Sequence, residues 1–533
     1  NLLDKSSIIL TPTAYNNGEA LCVKPSDGSG DFDFSRNSAA TRVNAQGFVE
    51  NVQTISGNLL DYSTFTSPSA SWSLVGGLWV YNDTVNGYIL TPNIAVVVGD
   101  VFDVVVDVTI ASGNANLRYS SGNAQTTLFP FTDFVDGVNE FRATITGVDG
   151  FLQRIFAPAS LTDNPFTLNS ISIKKISQDT NLPRINYEGG CGSWLFEPQS
   201  TNLIPYSENI NSNGFSFIGS SIQADATTSP DGTTNADLHK EDAANGSHFM
   251  YKDFNLSSGQ TYAISVFAKS NGVNRNLRFG DGGLGWSSGF NVNFDLTNGT
   301  ASSGGVIESY GNGWYRCSVV GTTSATTSRL IIYNTLGTVT SYQGDGSSGV
   351  YLWGLQIENL SYPTSYIPTS GSTVTRNQDV CNNGGTGTGL INSTEGVLYA
   401  EAAYNNSGIA SIISLTDGTN NNRVMIFWNT NNTIIFFIRV NSSYVAEYTI
   451  LSSEVDVSSF NKLAIKYKTN DMSFWLNGTK VATDTNGTMF SPNTLTKLAF
   501  NSGSDGVFFG KTKALAVWKE ALSDSELQSL TTI

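Results

Sequence analysis

The chain has 533 residues, a net charge of −16 and 14 % charged residues, against roughly 25 % in ordinary soluble domains, so Asn, Ser, Thr and Gly supply most of its polar surface. Its two histidines, His239 and His248, leave little room for His-ligated zinc or for Ser-His or Cys-His catalysis. Because cations are few and no apolar stretch approaches the roughly 18 residues that span a bilayer, we expect neither nucleic-acid binding nor membrane insertion.

Short strands separated by tight turns account for most of the chain. Residues 101–108 and 262–267 are β-branched or aromatic runs of strand length. Asn-Gly and Asp-Gly pairs flank such runs and supply the positive φ angles that hairpin turns require. Near the C-terminus, Ser523 and Glu526 form a capping box that begins a helix over 523–530. We therefore predict an all-β protein of several β-sandwiches (jelly rolls) with one short C-terminal helix.

An internal repeat helps to place the domain boundaries. The segment NLLDYS at 58–63 recurs as NLIPYS at 202–207, and each following body ends in an alternating apolar strand, at 168–173 and 350–357. Two sandwiches of one lineage explain this pattern. We predict six regions: an N-terminal strand and connector segment (1–53), an inserted jelly roll (54–178), connector strands (179–201), a second jelly roll (202–369), a linker (370–389) and a third sandwich (390–533).

The four cysteines, Cys22, Cys191, Cys317 and Cys381, lie far apart and have no CxxC spacing. A disulfide framework needs dense cysteines in a small domain, so we predict free, buried thiols in a protein assembled under reducing conditions. A Cys22–Cys191 bridge is the one pairing that merits a test.

Three segments resemble bacteriophage tail and virion-surface proteins. They are DFDFSRNSAATRVNAQGF at 31–48, then 183–187 with 195–203, and last 356–369 followed by 374–376. In related chains the first two segments lie close together, so residues 54–178 look like an inserted module.

The two later bodies resemble known sandwich modules. Residues 202–369 are similar to the jelly-roll carbohydrate-binding modules of such chains. Residues 390–533 are similar to the concanavalin A-like/laminin-G sandwich, through matches at 460–467, 472–478 and 510–527. The second resemblance implies a lectin-like fold but not a particular sugar.

The resemblance implies a virion structural protein, a tail fibre or a capsid surface decoration, that attaches to host cell-surface glycans. It implies a place on the virion exterior after assembly in the host cytoplasm, contacts with other virion proteins, and a homotrimer or higher oligomer, since multivalency compensates for weak single sites. Two alternatives stay open: a depolymerase that cleaves surface polysaccharide, and a decoration that binds no sugar. We expect no enzymatic activity, because no spacing selects the carboxylate pair that a glycosidase needs.

Sugar binding needs exposed aromatic planes beside amide or carboxylate groups. The candidates are Trp286, in a Gly-rich loop, and Tyr310 and Trp314, which flank Asn312 in a turn-to-strand segment. Packing in the core or at its rim is the alternative for each. The loop 280–285 fits G-x-G-x-x-G, but a strand follows instead of a helix, so we predict no dinucleotide site there.

Jelly-roll carbohydrate modules often carry a structural calcium ion between the first and last strands, and the resemblance makes Glu208 and Glu358 the nearest candidate ligands. Alternating oxygen donors near the N-terminus also hint at calcium: Asp27, Ser29, Asp31 and Asp33. No bidentate Glu follows them at loop spacing, so we predict a solvated turn there. No other cofactor is expected.

Overall fold

The computed structural model describes residues 2–82, 85–110, 113–159, 165–177, 180–187, 190–405, 408–503 and 506–533. The chain divides into two compact units, Asn1–Val52 with Thr180–Ile533, and Gln53–Asp179. The all-β prediction is confirmed, because strands form nearly all regular structure of the described residues and Asp524–Thr531 is their α-helix. Among these residues, no helix has the length and hydropathy that a membrane crossing requires.

Short strands make up the N-terminal segment, after a 3₁₀ turn at Leu3–Lys5. They are β1 (Ser6–Leu10), β2 (Tyr15–Asn16), β3 (Glu19–Ala20), β4 (Phe32–Ser35), β5 (Thr41–Val43) and β6 (Val49–Asn51). β5 and β6 pair as a hairpin, and β2, β3 and β4 form a small antiparallel sheet.

The unit Gln53–Asp179 is a β-sandwich with its own core. Besides a 3₁₀ turn at Tyr62–Thr64, its strands are β7 (Thr54–Ile55), β8 (Trp72–Val75), β9 (Leu78–Tyr81), β10 (Gly87–Val96), β11 (Val101–Ile110), β12 (Ala115–Ser120), β13 (Thr126–Phe134), β14 (Gly137–Thr144), β15 (Thr146–Gly147), β16 (Gly150–Ala157) and β17 (Phe166–Ser177). One sheet has the order β14-β11-β17-β9-β8, with β7 beside β17, and the other has the order β10-β16-β12-β13-β15. Along β11, Phe102, Val104 and Val106 are buried and the residues between them are not, which is the two-residue alternation of a strand with one face in the core.

A second sandwich follows three connecting strands, β18 (Ile185–Asn186), β19 (Ser193–Phe196) and β20 (Ser200–Asn202), and a 3₁₀ turn at Ile210–Asn213. Its strands are β21 (Ser216–Ile218), β22 (Ser220–Thr227), β23 (Ala236–Glu241), β24 (Asn245–Asn255), β25 (Thr261–Asn271), β26 (Arg275–Gly280), β27 (Trp286–Ser288), β28 (Asn291–Asp295), β29 (Thr300–Ala301), β30 (Gly305–Ser309), β31 (Tyr315–Thr323), β32 (Thr327–Leu336), β33 (Ser341–Gln343) and β34 (Gly349–Glu358). One sheet has the order β22-β23-β34-β25-β31-β27, with β30 beside β31, and the other has the order β21-β24-β32-β26-β28-β29, with β33 beside β24.

The repeated segments occupy equivalent places in these two sandwiches. Asn58 Oδ1 accepts from the amide two residues on, at 3.1 Å, and from the Ile173 amide in the last strand, at 3.0 Å. Asn202 Oδ1 likewise accepts from the amide two residues on, at 3.1 Å, and from the Ile357 amide in the last strand, at 3.2 Å. The strand orders also correspond, with β11, β17 and β9 matching β25, β34 and β23. The structure therefore supports the internal repeat.

The C-terminal part is a third sandwich. Its strands, with two short ones before them, are β35 (Val374–Arg376), β36 (Val380–Asn382), β37 (Glu395–Tyr404), β38 (Ser411–Thr416), β39 (Arg423–Trp428), β40 (Ile434–Val440), β41 (Ser443–Ile450), β42 (Asn461–Lys468), β43 (Met472–Leu476), β44 (Thr479–Asp484), β45 (Lys497–Ala499) and β46 (Gly510–Trp518). One sheet has the order β41-β40-β39-β38-β45. The helix α1 (Asp524–Thr531) begins with the predicted capping box of Ser523 and Glu526, which is thereby confirmed.

The other sheet of this sandwich recruits strands from the start and the middle of the chain. Its order is β18-β19-β46-β37-β42-β43-β44, and β1 also pairs with β46. Ile8 and Leu10 of β1 and Trp194 and Phe196 of β19 lie in the same hydrophobic core as the C-terminal strands. The third sandwich is therefore completed by residues that precede it by more than 300 and by about 200 positions.

Residues 370–389, expected as a linker, instead contain two paired strands. β35 pairs with β20 and β36 pairs with β4. Arg376, Asp379 and Cys381 are buried, because their partners lie in distant segments that composition alone does not reveal.

All four cysteines are free, and Cys22, Cys317 and Cys381 are buried. Cys191 is exposed, which corrects the expectation that all four thiols are buried, and Cys22 and Cys191 form no bridge.

Candidate functional site

A cleft of about 470 Å³ lies within the unit Asn1–Val52 with Thr180–Ile533. The β5–β6 hairpin, the outer face of the β34-β25-β31 sheet, the 362–366 segment and the edge of the C-terminal sandwich line it. Its aromatic residues are Phe267, Tyr310, Tyr362, Tyr366 and Tyr404, and its charged residues are Arg42, Glu197, Glu308, Arg316 and Lys511.

The hairpin wall is held by hydrogen bonds to distant backbone. Thr41 donates its hydroxyl to the Tyr366 carbonyl at 2.5 Å, and the Val49 amide donates to the Pro230 carbonyl at 2.9 Å. At the side, Arg42 pairs with Glu50 at 2.9 Å. Because both strands of the hairpin are anchored in this way, the cleft has a defined wall on this side.

The second wall is aromatic. Phe267 and Tyr310 meet edge to face, with 4.8 Å between ring centroids, and Trp353 and Tyr366 lie 4.5 Å apart. These rings, with Trp314, form a separate hydrophobic cluster on the outside of the second sandwich. The outer face of this sheet is therefore apolar, but Phe267, Trp353 and Tyr366 are at most 4 % exposed. The half-buried Tyr310 is the ring of this wall that a sugar could reach.

A buried network of ions underlies the cleft. Glu197 bonds to Arg184 at 2.6 Å and also pairs with Arg376, while Asp379 pairs with Arg184 and with Arg36, the latter at 3.1 Å. All five side chains are at most 4 % exposed. Since they come from the N-terminal segment, the connector and the 370–389 region, the network holds these three segments together.

Glu197 is the carboxylate of this network that reaches the cleft. Burial alone would raise its pKa, but the charges of Arg376 and Arg184 and the hydroxyl and amide of Ser365 hold the pKa of Glu197 well below its usual range. A carboxylate that stays ionised and ion-paired does not serve as a general acid. Its role here is to position the 362–366 segment.

A smaller cleft of about 240 Å³ adjoins the first, because Tyr310 lines both. Phe48 and Trp314 add two more aromatic side chains to its lining, and Asn312 and Lys269 add polar groups. The two clefts thus present aromatic and hydrogen-bonding groups along one continuous stretch of surface.

The structure brings together Tyr310 and Trp314 but not Trp286. Trp314 is 3 % exposed and donates its indole N–H to the Thr228 carbonyl at 3.1 Å, so its ring is not the exposed plane that the sequence suggested. It is buried because the following strand turns it into the aromatic cluster of the sheet face.

Trp286 lies at the other end of β31, opposite Thr323, roughly 26 Å from Tyr315 at about 3.3 Å per residue. It is half-buried, packs on Phe290 and donates to the Arg329 carbonyl at 2.9 Å. Trp286 therefore belongs to the rim of the second core rather than to either cleft. As predicted, a strand follows the 280–285 loop.

Glu208 and Glu358 do not fit a calcium ion. The Glu358 carboxylate is fully buried and accepts hydrogen bonds from Ser200 and Gln356, each at 2.6 Å, and from Thr364, so its lone pairs are occupied. Glu208 accepts from two neutral donors at 3.0 Å, and burial raises its pKa. Among the described residues, no group of three or more His, Cys, Asp or Glu could hold a metal ion.

The N-terminal oxygen donors form a turn, as predicted. Asp27 accepts from the amide and hydroxyl of Ser29, at 3.0 and 2.6 Å.

Sequence reasoning missed most of the cleft. Arg42, Tyr362, Tyr404 and Lys511 come from four segments, and no motif links them. One signal was present in the sequence: residues 41–43, 195–197 and 362–366 fall within the three segments that resemble virion-surface proteins, and these segments meet at the cleft.

Comparison with known proteins assigns the C-terminal sandwich. Residues 398–528 match a laminin-G family model described as the concanavalin A-like lectin/glucanases superfamily, which confirms the predicted fold of this part. No curated protein matches the chain.

Two kinds of solved structure show similarity over part of the chain. The carbohydrate-binding module CBM40 of the Ruminococcus gnavus IT-sialidase, bound to α2,3-sialyllactose, is 16 % identical over 28 % of this chain and 92 % of its own, with a TM-score of 0.25. A leech intramolecular trans-sialidase complexed with 2,7-anhydro-Neu5Ac is 20 % identical over 26 % of this chain and 24 % of its own, with a TM-score of 0.23.

Proposed function

We propose that this protein is a non-catalytic glycan-binding component of a bacteriophage particle, a tail fibre or a capsid surface decoration that attaches to host-surface glycans. The observation that carries the proposal is the cleft of about 470 Å³, which the half-buried rings of Tyr310 and Tyr362 line together with charged side chains. Its volume lies within the roughly 300–1,000 Å³ of small-molecule sites. Rings for C–H faces and polar groups for hydroxyls are what a saccharide requires.

The virion assignment is supported by where the resembling segments lie. The 31–48, 195–203 and 356–369 segments converge on the cleft, so the part of the chain that resembles virion-surface proteins is also the part that builds the site. The concanavalin A-like sandwich contributes Tyr404 and Lys511 to the same walls. We propose a location on the virion exterior and a homotrimer or higher oligomer that contacts other virion proteins, since repeated weak sites give avidity.

A glycan array of host-surface saccharides tests the binding role. Removing the ring that both clefts share, in Tyr310→Ala, should weaken binding about two- to tenfold, from the roughly 0.5–1.5 kcal/mol of one aromatic contact. Tyr333→Ala is the matched control, because Tyr333 is a half-buried tyrosine on the opposite sheet of the same sandwich, 5.0 Å from Phe249. Circular dichroism of both variants establishes that the fold is retained.

The alternatives give different results in the same samples. Oligosaccharide released from host polysaccharide by the wild-type protein would indicate a depolymerase. Failure of the wild-type protein to bind any glycan would favour a purely structural decoration. Electron microscopy of particles labelled with an antibody to this chain tests the virion location.

A further inference from the structure

The outer face of the β10-β16-β12-β13 sheet, in the unit Gln53–Asp179, carries a ladder of aromatic and arginine side chains. Tyr88 of β10 lies directly opposite Phe156 of β16, and Phe156 lies directly opposite Arg118 of β12. Phe131 of β13 completes the row, with its ring 5.6 Å from that of Phe156. Cross-strand neighbours of this kind share one face of a sheet, so the four side chains form one surface. We call it the Arg118 face.

The arginines on this face stack on rings. The Arg118 guanidinium carbon lies 4.7 Å from the centroid of Phe131 and 5.1 Å from that of Phe156. Arg154, on β16, lies 4.4 Å from the centroid of Tyr88. Stacking orients a guanidinium plane while it leaves the N–H groups at the edge of that plane free for a ligand.

Neither cation of the Arg118 face has a carboxylate partner among the described residues. Arg154 donates to the Gly122 carbonyl at 3.2 Å, and the Nε atoms of both arginines are buried without a hydrogen-bond partner, so a ligand would meet the terminal nitrogens of the guanidinium groups. Elsewhere in the same unit, Arg142 pairs with Asp103 at 3.1 Å and Lys175 pairs with Asp100 at 2.7 Å. In a chain with 44 acidic residues, two unneutralised arginines side by side indicate an anionic ligand from outside.

We propose that the Arg118 face binds a saccharide that bears a carboxylate. The planar fork of a guanidinium matches a carboxylate, with two parallel charge-assisted hydrogen bonds. Phe131 is 42 % exposed and offers an apolar plane beside the fork for the C–H face of the sugar ring. This site is separate from the clefts of the proposed function and does not depend on them.

The charge around the site favours a ligand with isolated carboxylates over a dense polyanion. Nucleic acids and heavily sulfated chains gain affinity by releasing counterions from many phosphates or sulfates, which requires many cations on the protein. Here the net charge is −16 and the face offers two arginines. Asp133, which accepts from Asn116 at 2.5 Å on the neighbouring strands, adds a negative charge at the same sheet.

The second sandwich supplies an internal control, because it keeps the ladder but neutralises one of its two arginines. In its equivalent sheet, Phe249 lies opposite Tyr333, and Tyr333 lies opposite Arg278. Arg278, however, donates to the side-chain oxygen of Asn291 at 3.2 Å, and Arg329, stacked on Tyr251, is held by Asp253 through two bonds of 2.7 and 2.9 Å. Of these two arginines only Arg329 has a carboxylate partner, so this sandwich offers one unneutralised cation where the first offers two, and we expect acidic sugars to bind the first sandwich more tightly.

The test uses the full-length protein on an array in which each uronate-containing oligosaccharide is also printed as its methyl ester. Esterification removes the carboxylate charge and leaves the sugar ring unchanged. We expect the wild-type protein to bind the acid forms more tightly than the esters. In Arg118→Gln the affinity for the acid forms should fall about tenfold to hundredfold, the range of a hydrogen bond to a charged group. Arg118→Lys keeps the charge without the fork, and we expect partial binding. Arg329→Gln, at an arginine already paired with Asp253, should match wild type.

Equal binding of acids and esters, no binding to any acid form, or unchanged acid binding by Arg118→Gln would overturn the proposal. Thermal denaturation of each variant separates a lost contact from a lost fold, and Arg118→Lys provides a milder change if Arg118→Gln unfolds. Tyr310→Ala distinguishes the two sites: it should keep carboxylate-dependent binding even if glycan binding at the clefts fails.

Discussion

The first and second sandwiches share a strand order and an asparagine, Asn58 or Asn202, that bonds to the last strand, yet their surroundings differ. The sandwich in Gln53–Asp179 is a contiguous stretch of chain with its own core. The second sandwich belongs to a larger unit, and the β5–β6 hairpin and the 362–366 segment cover one of its outer faces. One topology therefore yields two kinds of candidate surface, a cleft where other segments cover a face and a ladder that is left partly exposed among the described residues. The groups that a sheet face presents to solvent depend on what covers it.

The two units also differ in the interactions that stabilise them. The first sandwich leaves many large apolar side chains more than half exposed, among them Val75, Val135, Val138 and Phe151. The larger unit instead contains the buried network around Glu197. We expect the first sandwich to depend on its local core and the larger unit to depend on distant partners.

The largest expected difference between the two units is in whether a fragment of each folds by itself. A fragment spanning 53–179 should unfold cooperatively by itself, because its core lies within that stretch. A fragment spanning 390–533 should not fold, because it lacks Ile8, Leu10, Trp194 and Phe196 from its core. Each large side chain removed from a core costs about 2–5 kcal/mol, so the loss of four is comparable to the whole stability of a domain, roughly 5–15 kcal/mol. Circular dichroism and denaturant titration measure both.

The control for the fragments joins residues 1–52 to 180–533 through a Gly/Ser linker. This chain keeps every strand of the larger unit and should fold. Native-like stability of the 390–533 fragment alone would contradict the role that we assign to β1 and β19.

Acid should act on the larger unit through Glu197. The pKa of Glu197 in the folded protein lies well below the roughly 4.3 of the unfolded chain, so its contribution to stability is present above that value and is lost as the pH falls below it. Glu197→Gln should cost about 3–5 kcal/mol at pH 7, since it leaves buried arginines without their anion. The variant should also show a flatter acid dependence between pH 5 and pH 3.

Calorimetry of the full chain measures both the loss of stability and its dependence on pH. The transition of the first sandwich is identified from the 53–179 fragment. That transition should not move in Glu197→Gln. Glu447→Gln, an exposed carboxylate of the larger unit, should leave both transitions unchanged. An acid shift as large in Glu197→Gln as in wild type would contradict the assignment.

Substitution of Asn58 and Asn202 should give the smallest difference in stability between the two sandwiches. Asn202 is fully buried and its side chain also donates to the Leu355 and Ile367 carbonyls, so Asn202→Ala should cost about 2–3 kcal/mol. Asn58 is exposed, so Asn58→Ala should cost about 1 kcal/mol or less. Urea denaturation of the two variants measures the difference. Equal losses would show that the repeats are stabilised in the same way despite their different surroundings.

Local patterns predicted the fold well. Alternation in 101–108, turn dipeptides and the Ser523 cap depend on neighbouring residues, and the structure confirms the strand β11, the all-β class and the helix α1. The same reasoning selected Tyr310, which lines both clefts, and left core packing open for Trp314, which is buried because of how the sheet face is covered.

The amino-acid sequence by itself determined the class of fold and the repeat, because hydrophobic alternation and turn chemistry operate over a few residues. The fold of the C-terminal sandwich followed from its resemblance to the concanavalin A-like family. Only the tertiary structure decided that β1 and β19 complete the last sandwich, that 370–389 is paired and buried, and that four distant segments form one cleft. The tertiary structure also showed that Arg118 lies between two rings from different strands. These contacts join residues separated by tens to hundreds of positions, and strand register, which no single segment encodes, brings them together.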